Sequence, residues 1–235
     1  MKYSAIVTAA GRGARMGSKT PKQYLDLCGK PVIYHSLAAF EKCGVDEIII
    51  TCTPGDESFI RAEIVEKYGI SCVSAIVPGG SERSISVRNG ILAAGGDFVL
   101  IHDAARPLIS KDLISRCMEA VERFGACVPA TPVTDTVKEA DSEGNALKTL
   151  DRSRLFAVQT PQCFERDLII KAYKKLEESG ILASKVTDDA SVVELSGLAK
   201  VKLLEGDPDN IKLTTKRDLF IAEVLKSRES VCPVT

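Results

Sequence analysis

No apolar run in this 235-residue chain approaches the length of a membrane span, which takes about 20 consecutive apolar residues, so a transmembrane protein is not expected. Net charge is equally scarce. Against 31 Lys and Arg stand 32 Asp and Glu, leaving −1, whereas a nucleic-acid coat or membrane-surface protein carries an excess of one sign. Only two histidines occur, neither with a cysteine at ligand spacing, and none of the eight cysteines forms C-x-x-C. A zinc site is therefore not expected. Most cysteines fall in apolar segments and read as buried thiols of a reducing compartment. No signal peptide is recognisable ahead of Tyr3, and the cytoplasm is the expected location. Repeats, low-complexity tracts and Ser-His-Asp or Cys-His arrangements are also missing, and His35, inside an apolar helix, reads as structural.

What is present is concentrated near the N-terminus. The buried-strand pattern Ala5-Ile6-Val7 leads into Gly11, Gly13 and Gly17, interleaved with Arg12, Arg15, Lys19 and Lys22. Glycines let backbone N–H groups close on an anion, and the cations neutralise it. A polyphosphate is the natural guest. It is not held by a Walker A loop, because no glycine pair has the G-x-x-x-x-G-K spacing. Nor is this the dinucleotide fingerprint G-x-G-x-x-G, since Met16 stands where the third glycine belongs. That break counts against a nicotinamide oxidoreductase.

The remainder alternates strand and helix. Short apolar stretches at Glu47–Cys52, Ser71–Val77, Phe98–His102 and Ala126–Thr131 are separated by helical periodicity at Val32–Cys43, Phe59–Tyr68, Arg83–Ala94 and Lys111–Phe124, with Ser110 as an N-cap. This predicts an α/β fold, a mostly parallel twisted sheet with helices on both faces, ligands lying at the carboxyl ends of its strands. Residues 132–155 break the rhythm. Thr136–Ala140 and Ala146–Leu150 flank the turn Asp141–Asn145 and predict a protruding β-hairpin arm, too polar to stand alone in water and suited to packing on a second copy. A strand at Ala157–Thr160, helices near Asp167–Ser179 and Asp188–Leu195, a strand at Lys200–Glu205 and a helix from Thr215 complete one domain spanning 1–235.

Other polar clusters fall at the ends of these elements. His102-Asp-Ala-Ala-Arg-Pro107 places Asp103 to bind a substrate hydroxyl or magnesium, and Arg106 to hold an anion. In Pro78-Gly-Gly-Ser-Glu-Arg83 the glycines admit backbone against a planar base edge, or the segment is a plain helix entry capped by Ser81. Asp151–Arg154, Gln159–Gln162, Thr187–Asp189 and Asp209–Thr214 each offer a hydroxyl or cation at a strand end or helix N-terminus, where phosphates bind.

Together, A-A-G-R-G-A-R-M-G, P-K-Q-Y, G-G-S-E-R, H-D-A-A-R-P, T-D-T-V-K, Q-T-P-Q, T-D-D-A-S and D-N-I-K-L-T resemble the 2-C-methyl-D-erythritol 4-phosphate cytidylyltransferases nearly end to end. The resemblance implies a nucleotidyltransferase-type, Rossmann-like fold and a homodimer joined by the arm at 132–155. It implies transfer of a cytidylyl group from CTP to 2-C-methyl-D-erythritol 4-phosphate, in the mevalonate-independent route to isoprenoids, with Mg2+ or another divalent cation held mainly by the CTP phosphates and Asp103 a further candidate ligand. By motif, Arg15 and Lys22 fall at the catalytic positions that stabilise charge on the α-phosphate. Ala9, Ala10, Gly11, Gly13, Gly80, Ser81 and Ser86 fall where the family holds CTP. Asp103, Arg106, Thr136, Arg152, Thr160, Thr187 and Lys212 fall where it holds the sugar-alcohol phosphate. Thr8 stands where proline is frequent, and Ser81 where some members have aspartate, which leaves one contact to cytosine open. Ribitol 5-phosphate cytidylyltransferases share several of these motifs but tend towards H-D-A-V-R-P. They form the alternative substrate reading, and a non-catalytic nucleotide-binding protein on the same fold forms the alternative class.

Overall fold

The computed structural model describes residues 1–11, 20–180 and 186–231, with backbone alone at 229–231. Arg15 and Gly13, with the rest of the loop 12–19, lie outside the described residues. The first half of the chain runs through β1 (Tyr3–Thr8), the two-residue strands β2 (Asp26–Leu27) and β3 (Lys30–Pro31), α1 (Val32–Cys43), β4 (Glu47–Cys52), α2 (Glu57–Ile60) and β5 (Val73–Pro78). It continues through α3 (Arg83–Ala93), β6 (Phe98–Asp103), α4 (Lys111–Phe124) and β7 (Ala126–Pro132). After the hairpin strands β8 (Lys138–Ala140) and β9 (Ala146–Thr149) come β10 (Phe156–Val158), β11 (Gln162–Glu165), α5 (Arg166–Glu178), α6 (Asp189–Ser196), β12 (Lys202–Glu205) and α7 (Lys216–Val231).

Local chemistry explains several boundaries. Ser110 caps α4 by accepting from the Leu113 N–H, and Gly125, in the left-handed region at φ 72°, closes it, as a residue without Cβ does at little cost. The helix expected over Phe59–Tyr68 instead starts at Glu57 and runs into a π-helical stretch, Arg61–Glu66.

The main sheet is ordered β12, β7, β10 and β11, β6, β1, β4, β5. Cys127 of β7 pairs with Lys202 on one side and Cys163 on the other, while Ala130 pairs with Glu205 and Val158. Strands β10 and β11 therefore lie end to end along one edge of β7. They alone run antiparallel to the rest, so the mostly parallel sheet is as expected. The single strand expected at Ala157–Thr160 is in fact the shorter β10, with β11 following Pro161.

Strand alternation divides the core in two. Ala5, Val7, Ile48, Ile50 and Leu100 pack towards α1 and α4 through Leu37, Phe40 and Leu113. Their neighbours Ile6, Ile49, Val99 and Ile101 pack towards α3, α5 and α6 through Val87, Tyr173 and Val193. A third cluster joins Leu27, Val32, Leu108 and Leu213 to Ala222 of α7. Full burial of Leu213 contributes about 1.5–3 kcal/mol and docks the C-terminal segment beside Lys22. The β8–β9 ladder is separate from the main sheet, with all residues of both strands exposed.

Candidate active site

Parallel pairing sets Thr8 level with Thr51 on one side and Asp103 on the other, so the carboxyl ends of β1, β4 and β6 form a common rim. A cleft of about 410 Å³ opens above it. Ala9, Ala10 and Gly11 form one wall and Gly80, Ser81 and Ser86 another, while Lys22, Asp103 and Lys212 bring charge to the space between them.

The wall of Ala9–Gly11 and Gly80 is built from backbone. The Ala9 N–H donates to Thr51 O at 2.7 Å, and Gln23 Nε2 donates to Ala9 O at 2.5 Å. Ser86 Oγ accepts from the Gly80 N–H at 3.0 Å and donates to Glu82 O at 3.1 Å. Ser81 is not the cap of α3, because Glu82 occupies that position and makes no side-chain cap bond. Gly79 is required by space: a Cβ there would lie 2.6 Å from Ala10 Cβ, 2.7 Å from Ser86 Oγ and 3.0 Å from Cys52 O. Gly79→Ala should therefore cost about 1–3 kcal/mol of stability through overpacking and, where the cleft takes CTP as the resemblance implies, weaken its binding by displacing Ala10 and Ser86. Thermal unfolding and calorimetric titration with CTP read the two effects, and unchanged values in both would remove the close approach from the argument.

The opposite side of the cleft is ionic. Lys212 Nζ lies 2.6 Å from Asp103 Oδ2, and Arg83 Nε lies 3.4 Å from Asp103 Oδ1. Burial works to raise the Asp103 carboxyl, but Arg83 and Lys212 outweigh it and hold the group well below the usual carboxylate range. Lys22 Nζ donates to Leu213 O at 3.1 Å, and the Leu213 N–H donates to Ala105 O at 2.8 Å. Leu213, through its own N–H and C=O, thus ties the Lys22 ammonium to the loop after β6.

Beneath the rim lies a neutral relay. The Asp103 N–H donates to Thr160 Oγ1, which contacts His102 Nδ1 at 2.9 Å, and His102 Nε2 contacts Arg106 O at 3.1 Å. Burial pushes the His102 imidazole down to about 4, so it is neutral near pH 7; its Nε2–H donates to Arg106 O, and its Nδ1 accepts the hydrogen bond of the Thr160 hydroxyl. Thr160, 4% exposed, therefore orients Asp103 from below and does not line the cleft. Arg106 Nη1 donates to Asn210 O at 2.6 Å, fixing the loop after β6 to the segment that carries Lys212.

Five of the described residues named from the sequence, Arg106, Thr136, Arg152, Thr160 and Thr187, do not line this chain's cleft. Thr187 is exposed just before the α6 cap Asp188. Thr136 and Arg152 are exposed at the base of the arm, where Arg152 Nη1 donates to Thr134 O at 2.8 Å. The sequence pattern, in turn, does not single out Arg83, because G-G-S-E-R stands out for its glycines, nor Asp189, which reads as a second capping residue. Asp188 is the cap, whereas Asp189 is fully buried and pairs with Arg83 Nη2 at 2.8 Å.

The profile of the 2-C-methyl-D-erythritol 4-phosphate cytidylyltransferase family matches residues 3–228. The chain belongs to this family. Proteins of that name from Pelotomaculum thermopropionicum and Caldanaerobacter subterraneus subsp. tengcongensis are 47% and 44% identical to it, covering 97% and 95% of this chain and 96% and 98% of their own lengths. Among solved structures, the 4-diphosphocytidyl-2C-methyl-D-erythritol synthase of Anaerococcus prevotii superimposes with a TM-score of 0.82 at 32% identity, covering 97% of this chain and 99% of that one. The 2-C-methyl-D-erythritol 4-phosphate cytidylyltransferase of Thermus thermophilus gives 0.79 at 32% identity, with 97% and 100% coverage. Membership of the methylerythritol phosphate cytidylyltransferase family sets aside the ribitol 5-phosphate and non-catalytic readings, and with them the oxidoreductase. The fold is accordingly the α/β nucleotidyltransferase type.

Proposed function

We propose that the chain condenses CTP with 2-C-methyl-D-erythritol 4-phosphate, giving 4-diphosphocytidyl-2-C-methyl-D-erythritol and pyrophosphate. A phosphate oxygen of the sugar-alcohol phosphate attacks the α-phosphorus of CTP. The new P–O bond forms as the bond from the α-phosphorus to the bridging oxygen breaks, and that electron pair leaves with pyrophosphate. The nucleophile is already anionic, so no protein base is required. Catalysis rests on aligning two polyanions and neutralising the charge that develops between them. The observation carrying this reading is the juxtaposition in one cleft of Lys22 and Lys212 with the backbone wall of Ala9–Gly11 and Gly80.

In this reading Arg15 and Lys22 stabilise the α-phosphate and leaving group. Ala9, Ala10, Gly11, Gly13, Gly80, Ser81 and Ser86 seat the cytidine and its phosphates. Asp103 and Lys212 form the acceptor side inside the cleft, Arg106 and Thr160 hold its loop in place, and Thr187, Thr136 and Arg152 complete it from outside. Residues 1–235 act as one nucleotidyltransferase domain and 132–155 as a dimerisation arm, in a cytoplasmic homodimer. A divalent cation such as Mg2+, brought in with CTP, would supply screening of the phosphate charge. Among the described residues no group of three or more His, Cys, Asp or Glu could hold a metal ion, and both Asp103 oxygens already face cations, which makes Asp103 a poor ligand. Incubation with CTP, Mg2+ and either methylerythritol phosphate or ribitol 5-phosphate tests the reading. Pyrophosphate release with the first acceptor is expected, and none with either would overturn it.

Asp103→Asn should impair use of the sugar-alcohol phosphate far more than metal-free CTP binding, because it keeps the shape but loses the charge that orients Lys212. Steady-state kinetics in the acceptor, beside CTP calorimetry, separate the two. A larger loss of CTP affinity would move Asp103 to the nucleotide side.

A further inference from the structure

We infer that Arg83 is a positioning residue for the acceptor half of the cleft, acting through Asp103 on Lys212. Its location is not explained by the helix it begins. Arg83 is the first residue of α3, whose first turn holds no acidic side chain, and a cation at a helix N-terminus has the wrong sign for the helix dipole. What holds it there comes from elsewhere in the fold. Asp103 arrives from the end of β6 and Asp189 from the start of α6, and the guanidinium meets the first through Nε at 3.4 Å and the second through Nη2 at 2.8 Å.

Both carboxylates are themselves oriented. Asp189 Oδ1 accepts from Tyr173 OH at 2.9 Å, and its N–H donates to Gln162 Oε1 at 2.8 Å. Asp103 is set from below through the Thr160 contact to its N–H. Arg83 therefore bridges two rigid anchors, and its planar fork suits that task where a lysine point charge would not. With Oδ1 of Asp103 facing Arg83, Oδ2 is left to fix the Lys212 ammonium at 2.6 Å. Arg106 adds a third, more distant cation to the charges around Asp103. Removing Arg83 would leave Asp103 to draw Lys212 inward as its main counter-ion and would release the start of α6, just after Thr187. The Lys22 side of the cleft is tied separately, through Leu213 O.

This inference rests on the cytidylyl-transfer reading, and its test separates the two. Binding of 2-C-methyl-D-erythritol 4-phosphate, measured by calorimetry with a non-hydrolysable CTP analogue present, needs no turnover. Arg83→Met should weaken that binding at least about tenfold and lower kcat by up to about 10²-fold, the scale of a misplaced group, while leaving CTP-analogue affinity within about twofold. Arg83→Met added to Asp103→Asn should cost no more than about twofold beyond Asp103→Asn alone, since one residue acts through the other. Arg83→Lys should recover only part of the loss. If Arg83→Met does not fold, Arg83→Lys and Asp189→Asn carry the same split. Equal loss of CTP-analogue and acceptor affinity, or effects of Arg83 and Asp103 that multiply, would overturn the inference. A wild-type chain that binds the acceptor without releasing pyrophosphate would overturn the transfer reading, leaving Arg83 to be decided by the binding split.

Discussion

Lys22→Ala should turn over about 10²-fold or more slowly than wild type, equivalent to about 2.7 kcal/mol of lost transition-state stabilisation. The ammonium lines the cleft, and its bond to Leu213 O holds it there. Negative charge on the α-phosphate and leaving group peaks in the transition state, so the loss should fall mainly on kcat and much less on the binding of CTP. Single-turnover measurement of pyrophosphate formation isolates that step, and circular dichroism with thermal unfolding checks that the variant is folded. A folded Lys22→Ala chain with wild-type kcat would take Lys22 out of the chemistry.

Two inactive variants should restore each other. Thr136 and Arg152 are exposed and do not line the cleft of their own chain, while the arm that carries them pairs only with itself among the described strands. If the arm reaches across a two-fold axis, each site combines the core of one protomer with the arm of its partner. A Lys22→Ala chain then has a dead core and a sound arm, and a Thr136→Ala, Arg152→Ala chain the reverse. Their heterodimer contains one site with both wild-type halves and one with both defects. Co-expressed and purified as a mass-verified heterodimer, the pair should show up to about half of wild-type activity when the two sites act independently. A verified heterodimer as inactive as its parents would mean that each arm serves its own subunit.

The parallel sheet was legible because buried strands and amphipathic helices differ in period, and the start of α4 followed from Ser110 as its cap. Strand β11 was not legible. Gln162-Cys-Phe-Glu165 is short, and its place between β6 and β7 comes from pairings with residues far away in sequence. The π-helical stretch at Arg61–Glu66 escaped for a related reason, since apolar spacing does not separate one helical period from another over six residues. Glycines and cations in the site were readable because their chemistry is local. Arg83 was missed because its role depends on two carboxylates supplied by other elements, and its own neighbourhood, G-G-S-E-R, resembles an ordinary helix entry.

The tie between Lys22 and Leu213 also bears on synthesis. A ribosome reaches the acceptor of the Lys22 ammonium 191 residues after the lysine itself. At about 5–20 residues per second that interval lasts roughly ten to forty seconds. Throughout it the nascent polypeptide holds the glycine loop and the first strands but not the peptide unit that sets Lys22 in place. Translation therefore delivers Lys22 early and this anchor late, and any chain released before Leu213 leaves the ribosome without it.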